Sequence, residues 1–164
     1  MGGKSFTKSA EQLRPDPRFQ DLVLSKFINC VMERGKKATA QRLIYDALDL
    51  ITQKLAKETD PNAPKSSVEV FRMGIENVKP FVEVRSKRIG GANYQVPIQV
   101  GSKRQQSLAF RWIIDAARSD KGRPMAQRLA DEIYNAAKKE GKAMATRDQT
   151  HRMAEANKAF AHFA

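Results

Sequence analysis

Apolar residues recur every three or four positions along nearly all of this chain, and in one stretch only they alternate every second position. Val82 and Val84 share one face of a short segment, and Tyr94, Val96, Ile98 and Val100 share one face of the next. That two-residue period is the mark of a half-buried strand pair. The Gly90-Gly91-Ala92-Asn93 turn joins them, and Pro97 limits what they can join. Proline cannot donate to a neighbouring ladder, so the second strand must be an edge. A lone two-stranded ribbon is marginal in water. The hairpin, at about residues 81–100, is therefore predicted to be rooted on helices by its apolar base. Its far part has no apolar face, since Arg85 and Lys87 point one way and Arg88 the other. The expectation is a mobile basic tip that gains order from a partner.

The remaining segments read as helices. Val23, Phe27, Ile28 and Val31 form a stripe that begins after Phe19 and ends at Gly35. Leu43, Ile44, Ala47, Leu48, Ile51 and Leu55 make the broad apolar face of a core helix. The loop Lys57–Lys65 follows, with Pro61 and Pro64 as breakers. Ser66, three residues before Glu69, starts a third helix with a capping box, carried by Val68, Phe71, Ile75 and Val78 and stopped by Pro80. After the hairpin, Ser102 with Gln105 offers a cap for a fourth helix bearing Leu108, Trp112, Ile113 and Ala116 or Ala117. Pro124 suits the first position of a fifth, with Met125, Leu129 and Ile133, closed by Gly141. Thr146 offers a cap for a sixth, with Met153, Ala156 or Asn157, and Phe160 turned inward. The predicted fold is mainly α: a bundle of about six helices with one protruding two-stranded β-hairpin. Residues 1–18 are a basic N-terminal arm, and residues 19–164 are a single helical domain, which the chain's 164 residues suit.

Catalytic signatures are missing. The glycines before Lys36 and Lys142 lack the rest of a phosphate-binding loop. His151 and His162, eleven apart, with one cysteine, build no structural zinc site. Cys30 reads as a buried, inert thiol, and a single cysteine suits a reducing compartment. The expectation is a non-enzyme with no cofactor, no metal and no small-molecule substrate. No apolar run is long enough to span a membrane, and the N-terminal segment lacks the apolar centre of a signal peptide. The reading is a cytoplasmic protein without a membrane partner.

Charge narrows the partner. Thirty Lys and Arg against 18 Asp and Glu leave a net charge of +12 and a pI near 10.0. Such an excess favours polyanions, nucleic acid first and an anionic membrane surface second. The cations cluster at element ends. Lys4, Lys8, Arg14 and Arg18 lie in the arm, and Arg34, Lys36 and Lys37 at the first inter-helix turn. Arg85, Lys87, Arg88, Lys103 and Arg104 flank the hairpin, with no acid between Glu83 and Asp115. Arg118, Lys121 and Arg123 crowd the fourth turn, and Lys138, Lys139, Lys142, Arg147 and Arg152 the last. A basic run can be no more than a solvated face, but several clusters plus an arm exceed what solubility requires. No helix carries a basic stripe suited to a major groove, so dispersed patches point to folded RNA rather than DNA. At the tip, Gly90 and Gly91 allow a close backbone approach. Tyr94 has two readings, stacking on a base or packing on Val82 or Val84 across the strands.

Several stretches together carry a resemblance. "PDPRF" (Pro15–Phe19) precedes the first helix, followed by Asp21, Val23, Phe27-Ile28, Gly35-Lys36-Lys37, Leu43-Ile44 and Ala47. "ENVKPFVEVRSKRIGGANYQVP", "LAFRWIIDAAR" and "HRMAEANKAFAH" follow in order. Over nearly its whole length the chain resembles the bacterial-type small-subunit ribosomal protein seven family. The resemblance implies a protein of the small ribosomal subunit that binds its rRNA directly in the 3′ major domain and nucleates assembly of the head. It implies rRNA contacts for Lys4, Lys8, Arg14, Arg18, Arg34, Lys36, Lys37, Lys103, Arg104, Arg111, Arg118, Lys121, Arg123, Lys142, Arg147 and Arg152. It also implies that Arg85, Lys87, Arg88, Gly90, Gly91, Asn93 and Tyr94 lie near exit-site tRNA and mRNA. Neighbouring head and platform proteins are the implied partners, and repression of its own operon's mRNA an implied second role. A regulatory RNA-binding protein acting off the ribosome is the competing reading.

Overall fold

The computed structural model describes residues 12–59 and 64–164; the arm cations Lys4 and Lys8 and the breaker Pro61 lie outside them. Among the described residues the order is α1 (Leu22–Val31), α2 (Lys37–Leu55), α3 (Ser67–Val78), β1 (Val82–Ile89), β2 (Ala92–Gln99), α4 (Ser102–Ser119), α5 (Met125–Ala137) and α6 (Lys142–Ala156). A short 3-10 segment, Lys158–Phe163, follows. The architecture is mainly α with a single two-stranded antiparallel hairpin, as the periodicities predict.

The core forms where the apolar stripes meet. The Phe27 ring of α1 lies 5.2 Å from Phe71 of α3 and 5.1 Å from Phe110 of α4. All three rings are fully buried, and each contributes about 1.5–3 kcal/mol of hydrophobic free energy. Helix α5 runs against α2, α3 and α4, with Leu129 and Ile133 at its buried face. Gly74 permits its close approach to α3, for a Cβ there would stand 3.0 Å from the Ile133 carbonyl oxygen. Three residues later, the Asn77 side-chain amide donates to the Ala136 and Ala137 carbonyls at 3.0 Å each. It thereby satisfies acceptors that the end of α5 leaves open.

Helix starts depend on side chains the periodicity does not reveal. The Asp21 carboxylate caps α1 through the Leu24 amide at 2.9 Å and is bound by Arg72. Burial raises its pKa, but the amide and the guanidinium outweigh that and hold it below the usual value. Ser66 caps α3 as expected, at 3.2 Å from the Glu69 amide, while Glu69 reaches back to the Lys65 amide. Before α1, Asp16 is buried and accepts from the Arg18 and Phe19 amides and, at 2.6 Å, from the Tyr45 hydroxyl. Burial and this carboxylate push the Tyr45 pKa up to about 12.

Five local readings fail. Gly101 stands at the α4 N-cap, so Ser102 is already helical and caps nothing. Pro124 is the α5 N-cap rather than its first residue. Thr146 lies inside α6, its hydroxyl donating to the Lys142 carbonyl. That helix starts at Gly141, and the buried Glu132 of α5 accepts from its Ala143 amide at 2.7 Å. Met153 is exposed, because α6 buries Ala143, Met144 and Ala154 instead. Cys30 is exposed as well, on the outer face of α1.

Candidate nucleic-acid interface

The turn between α1 and α2 is built from two successive left-handed residues, Arg34 at φ 51° and Gly35 at φ 72°. Lys36 follows at the α2 N-cap and offers no side-chain acceptor. The positive end of a 19-residue helix is thus left uncovered beside Arg34, Lys36 and Lys37, where amides and cations together suit phosphate. All three side chains are exposed and make no ion pair within the described residues.

Helix α4 supplies what no sequence reading anticipates. Its exposed positions include Arg104, Ser107, Arg111, Asp115 and Arg118, spaced by three and four. Three arginines at seven-residue steps, two turns each, stand on one face and extend about 21 Å at 1.5 Å per residue. This arginine row, with Asp115 exposed within it, is one the sequence reading did not single out. The stripe is held at both ends, since Arg104 lies 3.2 Å from Glu83 and Arg118 lies 2.8 Å from Glu33. Arg111, between them, has no ion pair among the described residues. Lys103 is exposed at the start of the same helix.

The hairpin adds a second limb. Its turn is only Gly90-Gly91, with φ 57° and 86°, so Ala92 and Asn93 belong to β2. Two positive φ angles in a two-residue loop match the right-handed twist of the strands. Register pairs Lys87 with Tyr94 and Arg85 with Val96. Glu83, Arg85 and Lys87 therefore share a face with Tyr94, Val96 and Ile98, and Val82, Val84 and Arg88 share the other. Tyr94 cannot pack on Val82 or Val84; its ring lies 5.2 Å from Phe160 and 5.5 Å from Phe163. The Lys87 ammonium donates to the Phe163 carbonyl. The C-terminal 3-10 segment thus braces the hairpin as far as the Lys87–Tyr94 pair, well beyond its base, and Arg88–Asn93 project past the bracing.

At the root, Glu83 is buried and accepts from Arg85 at 2.6 Å and from Arg104 at 3.2 Å. Burial pushes its pKa up, and the two guanidinium groups more than reverse that. The Phe81 amide donates to His151 Nε2 at 3.2 Å, and the two rings stack at 6.0 Å. Burial and the neighbouring Arg147 hold the His151 pKa below its usual value, as an acceptor imidazole requires.

Other predicted contacts are occupied internally. Arg123 binds Asp120 at 2.9 Å and also Asp131, while Lys142 binds Asp120 at 2.8 Å. Arg147 is held by Asp148 at 2.7 Å and the Asn77 carbonyl at 2.6 Å. Arg18 pairs with Asp49 at 2.6 Å and lies over the Phe19 and Tyr45 rings. Arg14, Lys121 and Arg152 are exposed without an ion pair among the described residues. No helix there is long and apolar enough to cross a membrane, and no cluster of metal-ligating groups is present among them.

Residues 4–158 match the family model described as "Ribosomal protein S7p/S5e". The chain is 58% identical over 159 residues to the small ribosomal subunit protein uS7 of Rhodopirellula baltica, covering 97% of this chain and 98% of that one. It is 54% identical over 152 residues to the protein of the same name from an Acidovorax species, covering 93% and 92%. For the Thermotoga maritima protein, also named uS7, identity is 53% over 152 residues, covering 93% of each chain.

Proposed function

Because this chain belongs to the ribosomal protein S7p/S5e family, as a small-subunit structural component of the cytoplasmic ribosome and not an enzyme, we propose the following division of labour on its surface. The α1–α2 turn and the α4 stripe bind small-subunit rRNA directly, in the 3′ major domain, and nucleate assembly of the head. The hairpin tip, with Arg88, Gly90, Gly91 and Asn93 outermost, lies near exit-site tRNA and mRNA. Neighbouring head and platform proteins complete the surroundings, and the same cationic face serves to repress the protein's own operon mRNA.

The observation that carries this reading is the set of exposed cations on the α1–α2 turn and on α4. Arg34, Lys36, Lys37 and Arg111 have no acidic partner among the described residues, and such charges neutralise phosphates with release of counterions. Gel-shift titration of an rRNA fragment spanning the 3′ major domain, beside a 5′-domain fragment of equal length, tests it. The 3′ fragment is expected to bind more tightly by a factor of about a thousand at physiological salt, in line with specific over non-specific recognition. Equal affinities would refute direct recognition of that domain.

A further inference from the structure

We propose that the C-terminal 3-10 segment, Lys158–Phe163, is a two-ring clamp that sets the direction of the hairpin tip, with Phe160, Phe163 and Lys87 as its positioning residues. The inference rests on the reading of the tip as the part that meets exit-site tRNA and mRNA, and adds what aims it. A 3-10 turn holds three residues, so side chains at i and i+3 eclipse. An α-turn would swing the second of them about 60° aside. Phe160 and Phe163 therefore stack, their rings 6.4 Å apart and 13° from parallel. Tyr94 of β2 stands nearly equidistant from the two, at 5.2 and 5.5 Å. Its register partner Lys87 shares that face of the ribbon and donates to the Phe163 carbonyl. His162 packs on Phe163 at 4.0 Å, with its Nδ1 2.8 Å from the Ala159 carbonyl oxygen, and steadies that ring.

Two properties separate this cluster from core packing. No residue of the 3-10 segment is buried, and Tyr94, Phe160 and Phe163 stand apart from the main hydrophobic cluster, each half-buried. The rings therefore add little to the cohesion of the bundle. Beyond α6, from which it continues, β2 is the element the segment packs against among the described residues. Helix α6 already holds the root of the hairpin, through the His151 ring stacked on Phe81. The clamp adds a second hold at the Lys87–Tyr94 pair, about 17 Å beyond Val82 by the rise of a strand. Held at its root alone, a marginal two-stranded ribbon swings. Held at two points along its length, it has one direction.

A nitroxide on Asn93→Cys reports the motion of the tip by electron paramagnetic resonance, in the full chain with Cys30→Ser so that one thiol takes the label. Phe160→Ala with Phe163→Ala is expected to turn a broad, ordered spectrum into the sharp one of fast loop motion, while the thermal midpoint of the bundle barely moves. Phe160→Tyr with Phe163→Tyr keeps both rings and is expected to keep the broad spectrum. In ribosomes assembled with the unlabelled variants, exit-site affinity for deacylated tRNA should fall by the same factor as the clamped fraction in the spectrum, and return with the two tyrosines. An unchanged spectrum in the alanine variant overturns the clamp. A sharp spectrum with unchanged tRNA affinity upholds the clamp and overturns instead the placement of the tip at the exit site. Should the alanine variant fail to fold by circular dichroism, Tyr94→Ala decides in its place: a broad spectrum there overturns the clamp, and a sharp one upholds it.

Discussion

The α1–α2 turn and the α4–α5 turn look alike in sequence and behave oppositely in space. Each carries three consecutive residues that combine a left-handed glycine with two cations: Arg34-Gly35-Lys36 and Lys121-Gly122-Arg123. At the first, no acid neutralises the cations within the described residues. At the second, Asp120 and Asp131 bind Arg123, and Asp120 also binds Lys142 from α6. The first turn presents charge to a partner, while the second uses its charge to tie α4, α5 and α6 together. The hairpin lies between these extremes, with a neutralised root at Glu83 and, near its tip, Arg88 without an ion pair among the described residues. A basic run in a sequence is therefore a supply of charge, and tertiary neighbours decide how much of it remains available.

The largest expected effect comes from the first turn. Arg34→Ala, Lys36→Ala and Lys37→Ala together should lower the slope of log affinity for the rRNA fragment against log salt by about two to three units, roughly one per lost phosphate contact. Circular dichroism should show an unchanged fold. An unaltered slope would remove the distinction between the two turns. Next is the hairpin root. Glu83→Gln should cost about 1–2 kcal/mol in a denaturant titration, a value discounted for its half-exposed arginine partners. The pH dependence has a definite sign. The folded carboxyl is held below its ordinary value of 4.5, so its contribution is complete above that value. It is lost as pH falls through the folded pKa. The stability gap between wild type and Glu83→Gln should therefore be constant near neutrality and close in acid; a gap that widened in acid would contradict the assigned pairing. The smallest effect sharpens the comparison from the other side. Asp120→Asn should release Arg123 and Lys142, lowering Tm slightly and steepening the rRNA salt dependence by about one unit. If Tm were unchanged and the slope the same, the ties between α4, α5 and α6 would carry no weight.

Legibility in the sequence followed the range of the interaction. The α2 stripe from Leu43 to Leu55 announces a helix because its contacts repeat along one element. Ser66 and Glu69 announce a helix start because a cap closes over three residues. The Gly90-Gly91 turn and Pro97 announce an isolated hairpin for the same local reason. Tyr94 shows the limit. Its partners, Phe160 and Phe163, stand more than sixty residues away, so alternation alone suggested cross-strand partners that the register excludes. Cys30 and Met153 failed similarly: each sits at the edge of an apolar stripe, and only packed neighbours show that α1 and α6 turn other residues inward. The Arg104–Arg111–Arg118 stripe was readable at seven-residue steps, but the intervening acid and the cluster-by-cluster distribution of charge obscured it.

By itself the sequence determined that this chain is a helical bundle with one edge-limited ribbon and a large positive charge. Periodicity, caps and turn residues act within a few positions, so they survive in one dimension. Tertiary structure decided which cations face outward and which are tied down by Asp120, Asp131 and Glu83. It also decided that the C-terminal 3-10 segment braces the hairpin. Those outcomes depend on groups brought together from distant parts of the chain, and their energies fall off over a few ångströms that no sequence spacing encodes.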